Sequence, residues 1–201
     1  MTLWFLARAA GFTALAGATV AICLGAWASG SSAGRRLEQR ESRMLLQLAH
    51  RSAAVVTLAL LGLHAVLLVV DSHVAISVPG ALVPFTAGYR GTAVGLGTLA
   101  AYCLVVVALV GALRGRLASS PRAVRWWRPV HALAYAVWPL SIAHGLWSGT
   151  DTQTWWAWSL YAGSTVAVVT AVLARLTSEE QHVTAPLATA RQQLATSGRR
   201  A

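Results

Sequence analysis

The stretch "MLLQLAHRSAAVVTLALLGLHAVLLVV", residues 44–70, is long and apolar enough to cross a bilayer, and the chain is built almost entirely of such stretches. In hydrocarbon every backbone polar group must be satisfied within the protein, so a run of about 20 apolar residues reads as an α-helix spanning about 30 Å. Five runs qualify, roughly 4–28, 44–70, 89–113, 129–148 and 155–175. Only 11% of residues are charged, whereas a soluble domain carries about a quarter. The expected fold is all-α: an integral membrane helical bundle of about five transmembrane helices over residues 1–175, then a polar tail over 176–201.

The basic residues are all arginine, and they give a formal net charge of +10. They cluster between apolar runs, which argues against nucleic acid as a partner and for membrane orientation. The first connection, "SGSSAGRRLEQRESR", holds Arg35, Arg36, Arg40 and Arg43. The third, "RGRLASSPRAVRWWR", holds Arg114, Arg116, Arg122, Arg125 and Arg128. The second and fourth contain Asp71 and Asp151, with no basic residue before Arg90. The positive-inside rule then puts the first and third connections in the cytoplasm, the N-terminus outside and the tail inside. Trp126, Trp127, Trp155, Trp156 and Trp158 fall at run ends, where interfacial anchors sit.

"AWAS", Ala26 to Ser29, looks like a signal-peptidase site, but cleavage there would deliver the arginine-rich segment outside, against the charge rule. The first run is therefore read as a span. The tail, interrupted by Pro186, is read as a mobile cytoplasmic end. Cys23 and Cys103 lie in apolar runs with no motif spacing, so neither a disulfide framework nor C-x-x-C-H haem attachment is implied.

Ionisable side chains at membrane depth are expensive and point to function. His50 and His64 are fourteen positions apart on one run, about 21 Å along a helix and within about 40° of one face. His131 and His144 are thirteen apart, about 20 Å, on a run of the same direction. His50 therefore matches His131 in depth, near the cytoplasm, and His64 matches His144 near the outside. Paired imidazoles at two depths read as the axial ligands of two stacked haems. Zinc fits poorly, since histidines about 20 Å apart cannot share an ion. Proton relays usually add Asp or Glu within the spans, and these have none.

The azimuth on the second histidine run fits less well. Thirteen residues of ideal helix turn His144 about 140° away from His131, so overwinding near Pro139 is expected. His73, beside Asp71, reads as a solvated loop residue, and His182 as an incidental residue of the tail.

These residues resemble the ferric reductase-like transmembrane domain, shared by ferric-chelate reductases, NADPH oxidases and the haem subunit of bacterial methionine sulfoxide reductase systems. The resemblance runs over about residues 4–175. It rests on thirteen residues between His50 and His64 and twelve between His131 and His144, and on "LWFLARAAG", "PFTAGYRGTAVGLGTLAAY" and "HALAYAVWPLSIAHGLWSGTD". It implies that these four histidines ligate two haems b. The flavin and nucleotide domain of the NADPH-using members has no counterpart here: no G-x-G-x-x-G is present, and "GYRGTAVGLG" reads as helix packing.

The expectation is a diheme b-type protein of the cell membrane, multi-pass and bacterial in character. It would carry single electrons from a cytoplasmic donor, a separate flavoprotein reductase or a quinol, to an outer acceptor: ferric iron, oxygen or an oxidised protein. Flavin would reside only on the partner. Arg51 and Arg128 are candidates for the inner haem propionates and Arg90 for the outer ones, with interfacial anchoring as their other reading. The competing reading of another class is a haem-free membrane scaffold or transporter subunit whose histidines serve only interhelical bonds.

Overall fold

In the computed structural model, residues 2–30, 37–74, 76–117 and 120–197 are described, side chains excepted at 29–30, 37–40, 117, 121, 123–124 and 178–197. Arg35 and Arg36 of the first connection and the side chain of His182 lie outside the described residues. The described chain is all-α. The elements are α1 (Thr2–Gly30), α2 (Leu37–Val70), α3 (Val78–Leu82), α4 (Gly91–Ala112), α5 (Arg114–Leu117), α6 (Pro121–Ala132), α7 (Ala134–Ser148) and α8 (Trp155–Ser197). Four helices are long and apolar enough to cross a membrane, over 2–28, 41–70, 91–112 and 155–177. They mark a multi-pass membrane protein.

The fifth expected span, 129–148, is not one continuous helix: it is the end of α6 followed by α7, separated at Leu133. There the Leu133 N–H donates to the Val130 carbonyl at 3.1 Å and the Ala136 N–H to the Leu133 carbonyl at 2.9 Å. Both bonds reach back three residues rather than four, so this turn is wound tighter than an α-helix. A 3₁₀ turn advances about 120° per residue instead of about 100°, which returns about 60° of the 140° mismatch between His131 and His144. A tighter turn therefore lies at Leu133, six residues before Pro139, and the Leu133 carbonyl also accepts the Val137 N–H at 3.2 Å, where regular α-helix resumes. Pro139 lies inside α7; its ring lacks the N–H that would bond Tyr135, one turn beyond the tight bonds.

The helices pack as two antiparallel hairpins, α1 with α2 and α4 with α6–α7, and α8 lies along α1. The buried face of α1 is a stripe of small residues: Ala7, Ala10, Ala14, Ala18 and Ala21. Small side chains let helix backbones approach closely where lipid supplies no hydrophobic drive between helices. Halfway along that face, a Cβ on Gly17 would lie 2.6 Å from Thr57 Oγ1. Thr57 is the largest fully buried side chain, and its hydroxyl is spent on the Ala53 carbonyl. The opposite face of α2, with Leu45, Leu48, Val55, Val56 and Val66, is exposed. That inverted pattern suits hydrocarbon surroundings, where apolar exposure costs nothing.

Residues 71–90 do not simply loop between spans. Ser77 caps α3 through the Gly80 N–H. The hydroxyls of Thr98 and Tyr102, inside α4, donate to the carbonyls of Ala81 and Leu82. Tyr102 is eleven residues into α4, about 16 Å from its start. The connection thus folds back along the helix, with Ile76, Ala87 and Val94 as its core. Gly95 leaves room for the Phe85 ring, which a Cβ there would strike.

Candidate functional site

The two hairpins face each other through their histidines. His50 and His131 have ring centroids 6.2 Å apart with planes at 73°, and His64 and His144 are also 6.2 Å apart, at 84°. The structure brings together the depth-matched partners, on helices of the same direction. Two metal–imidazole bonds of about 2.0–2.1 Å, with each ring centre about 1.1 Å behind its nitrogen, give a centroid separation of about 6.3 Å. Each pair therefore has the spacing of two imidazoles on opposite sides of one metal.

Three rings are fixed by the same device. His64 Nδ1 donates to the Ala7 carbonyl at 2.7 Å, His50 Nδ1 to Ala21 at 2.8 Å, and His144 Nδ1 to Ala93 at 2.8 Å. A carbonyl can only accept, so Nδ1 carries the proton and Nε2 keeps its lone pair, the tautomer a metal requires. His131 Nδ1 is aimed at the Val107 carbonyl but is buried without a hydrogen bond of good geometry. Its ring instead stacks on Trp127, at 5.1 Å and 13°, and the Arg114 guanidinium covers Trp127 at 4.7 Å.

Each histidine also rests on a glycine of the neighbouring helix. A Cβ would come within 3.0 Å of His64 at Gly11, 3.2 Å of His50 at Gly25, 2.6 Å of His144 at Gly97 and 3.3 Å of His131 at Gly111. In every case the carbonyl facing Nδ1 belongs to the residue four before that glycine. In an α-helix that carbonyl bonds the glycine's own N–H, so the missing side chain uncovers it for a second donor. Gly11 and Gly25 are fourteen apart, as are Gly97 and Gly111 and as are His50 and His64. Sequence reasoning missed this. The repeated spacing of fourteen was its signal.

The other candidates are placed differently. Arg51 and Arg128 are exposed beside the His50–His131 pair, and no contact with either ring is seen among the described residues. Arg90 is held away from the His64–His144 pair: Nη1 donates to the Trp147 carbonyl at 2.7 Å and the guanidinium lies over Tyr89. It starts α4 in the left-handed region, at φ 42°. The arginine at the mouth of that pair is Arg8, ion-paired with Asp151 across the bundle. Arg8 lines a cavity of about 220 Å³ together with His64, His144, Ser148, Thr150 and Tyr161. His73 is exposed, tilted against Trp4 at 6.1 Å.

No group of three or more His, Cys, Asp or Glu side chains that could hold a metal occurs among the described residues. Two imidazoles are an incomplete set for zinc, which takes four ligands here. They complete a metal whose equatorial donors arrive with a macrocycle. The ring separation suits such a metal at both levels, and the described cavity lies at the His64–His144 pair. Comparison with protein-family models, curated proteins and solved structures finds no match to this chain.

Proposed function

We propose that the chain is a diheme b-type membrane protein that carries single electrons from a cytoplasmic donor to an acceptor on the outer side, as its resemblance to ferric reductase-like domains implies. The observation that carries this reading is the pairing of four tautomer-fixed or stacked histidines into two 6.2 Å sets with no third protein ligand among the described residues. His50 and His131 would hold the inner haem, at the arginine-rich level, and His64 and His144 the outer one. Bound there, haem iron supplies reversible one-electron chemistry. The outer acceptor would be ferric iron, oxygen or an oxidised protein. Electrons come from a separate flavoprotein or a quinol.

A haem-free scaffold accounts for the Nδ1–carbonyl bonds but not for two ring pairs at one separation. Reduced-minus-oxidised spectra with haem quantitation decide: two haems b per chain are expected, and none would overturn the reading. Orientation follows the arginines. Reporter fusions after residues 40, 80 and 120 should read inside, outside and inside, and an outside signal at residue 40 reverses the assignment of inner and outer.

A further inference from the structure

The glycine contacts are unequal in a way that ligation alone does not need. Three of the four histidines donate Nδ1 to a carbonyl uncovered by glycine; the fourth, His131, has the glycine but not the bond. Hydrogen bonding at Nδ1 makes an imidazole a stronger donor, which favours ferric over ferrous iron and lowers the reduction potential. A nearby cation acts oppositely, because the reduced site carries one positive charge fewer. His131 has the cation: Arg114 covers the Trp127 ring that stacks on it.

We propose that Gly11, Gly25 and Gly97 are positioning residues that lower the potentials of the two haems through the carbonyls of Ala7, Ala21 and Ala93, and that the Arg114–Trp127 stack replaces this control at His131. The inference rests on the haem reading above. Its consequence is that two of the three hydrogen bonds act on the outer haem. The inner haem is set by one bond and one cation pulling against each other.

The inner haem offers a matched pair of variants. A Cβ at Gly25 would meet His50 at 3.2 Å and one at Gly111 would meet His131 at 3.3 Å, nearly equal intrusions on ligands of one iron. Only the first has a hydrogen bond of good geometry to lose. Potentiometric titration of the purified holoprotein is the measurement, and the double variant His64→Ala/His144→Ala, retaining only the inner site, identifies the inner midpoint. Gly25→Ala should raise that midpoint and Gly111→Ala should leave it in place. Arg114→Gln should lower it, with the low-spin spectrum retained in all three.

Gly97→Ala intrudes furthest, 2.6 Å from His144 Nδ1, and should raise the outer midpoint more than Gly25→Ala raises the inner. If Gly97→Ala does not fold, the inner variants still decide. An unmoved midpoint in Gly25→Ala, an equal shift in Gly111→Ala, or no fall in Arg114→Gln overturns the proposal. Wild-type protein without a haem spectrum overturns the haem reading itself, a separate result.

Discussion

The two histidine levels have the same ring separation but are supported by different means. At the His64–His144 level both rings hang on main-chain carbonyls, and the ion pair Arg8–Asp151 bridges α1 to the segment before α8 above them. At the His50–His131 level one ring has such a bond and the other is held by an aromatic stack. The difference follows from the helices. His144 sits inside the regular turns of α7, whereas His131 is at the end of α6, two residues before the tight turn at Leu133. The tighter turn brings His144 and His131 toward one face, and the ring next to it is the one without a well-formed Nδ1 bond. Two histidine pairs can therefore share one ring separation while their local support differs.

The strongest way to break this comparison is to remove ligands. His64→Ala and His144→Ala should each lower haem content from about two toward one per chain and spare the inner haem. His50→Ala and His131→Ala should spare the outer one. Each double variant within a level should be little worse than its singles, because groups serving one site are not additive. If His50→Ala and His144→Ala behave as the pair, the depth assignment is wrong, and if all four variants keep two haems, so is the ligand assignment.

Reduction distinguishes the levels next. No phosphate-binding glycine motif occurs in the sequence, so NADPH alone should leave the purified holoprotein oxidised, and adding a flavin reductase or a quinol should reduce it. An outer-level histidine variant should still take up electrons from that donor, while an inner-level variant should lose most of the rate. Equal rates in both would remove the functional distinction between the levels.

How much of this was legible beforehand depends on the range of each interaction. The depth match needed only the helical rise and two spacings in the sequence. Of the four glycines only Gly97 falls in a stretch read as packing, and the other three carry no local signal, because a glycine's role here depends on which ring lies across from it. Leu133 is not itself a helix breaker, so nothing at that position announces the tight turn, whereas Pro139 is plain in the sequence. Thr98 and Tyr102 are hydroxyls within an apolar run, and only the fold shows that they meet the carbonyls of the 71–90 connection. Arg8 and Asp151 are 143 residues apart, and nothing local pairs them.

A smaller effect is expected from that ion pair. Arg8 and Asp151 are 21% and 13% exposed, so solvent screens them only in part. Asp151→Asn leaves a half-buried guanidinium without its counter-charge and should cost about 1–3 kcal/mol. At roughly 2–4 °C per kcal/mol for a chain of this size, melting in detergent should fall by several degrees. Arg51→Gln, at the exposed rim of the other level, should change stability by less than about 0.5 kcal/mol. Equal losses in the two variants would mean that the ends of the bundle are held alike.

The smallest difference is spectroscopic and concerns ring planes alone. When two axial imidazoles lie in parallel planes, both donate to the same iron d orbital of π symmetry and split it from its partner. Perpendicular planes donate to the two orbitals equally and leave them nearly degenerate. Low-spin ferric iron then keeps more orbital angular momentum, and its largest g value rises. The planes stand at 84° for His64–His144 and 73° for His50–His131, so both haems should give strongly anisotropic signals, with the outer one further downfield in g. The assignment can be made by subtraction: His144→Ala should remove the component of larger g, and His131→Ala the other. Two ordinary rhombic signals would show that haem binding rotates the rings, which the carbonyl bonds at His64, His50 and His144 resist. In that case His131, whose Nδ1 has no such bond, is the ring expected to have turned.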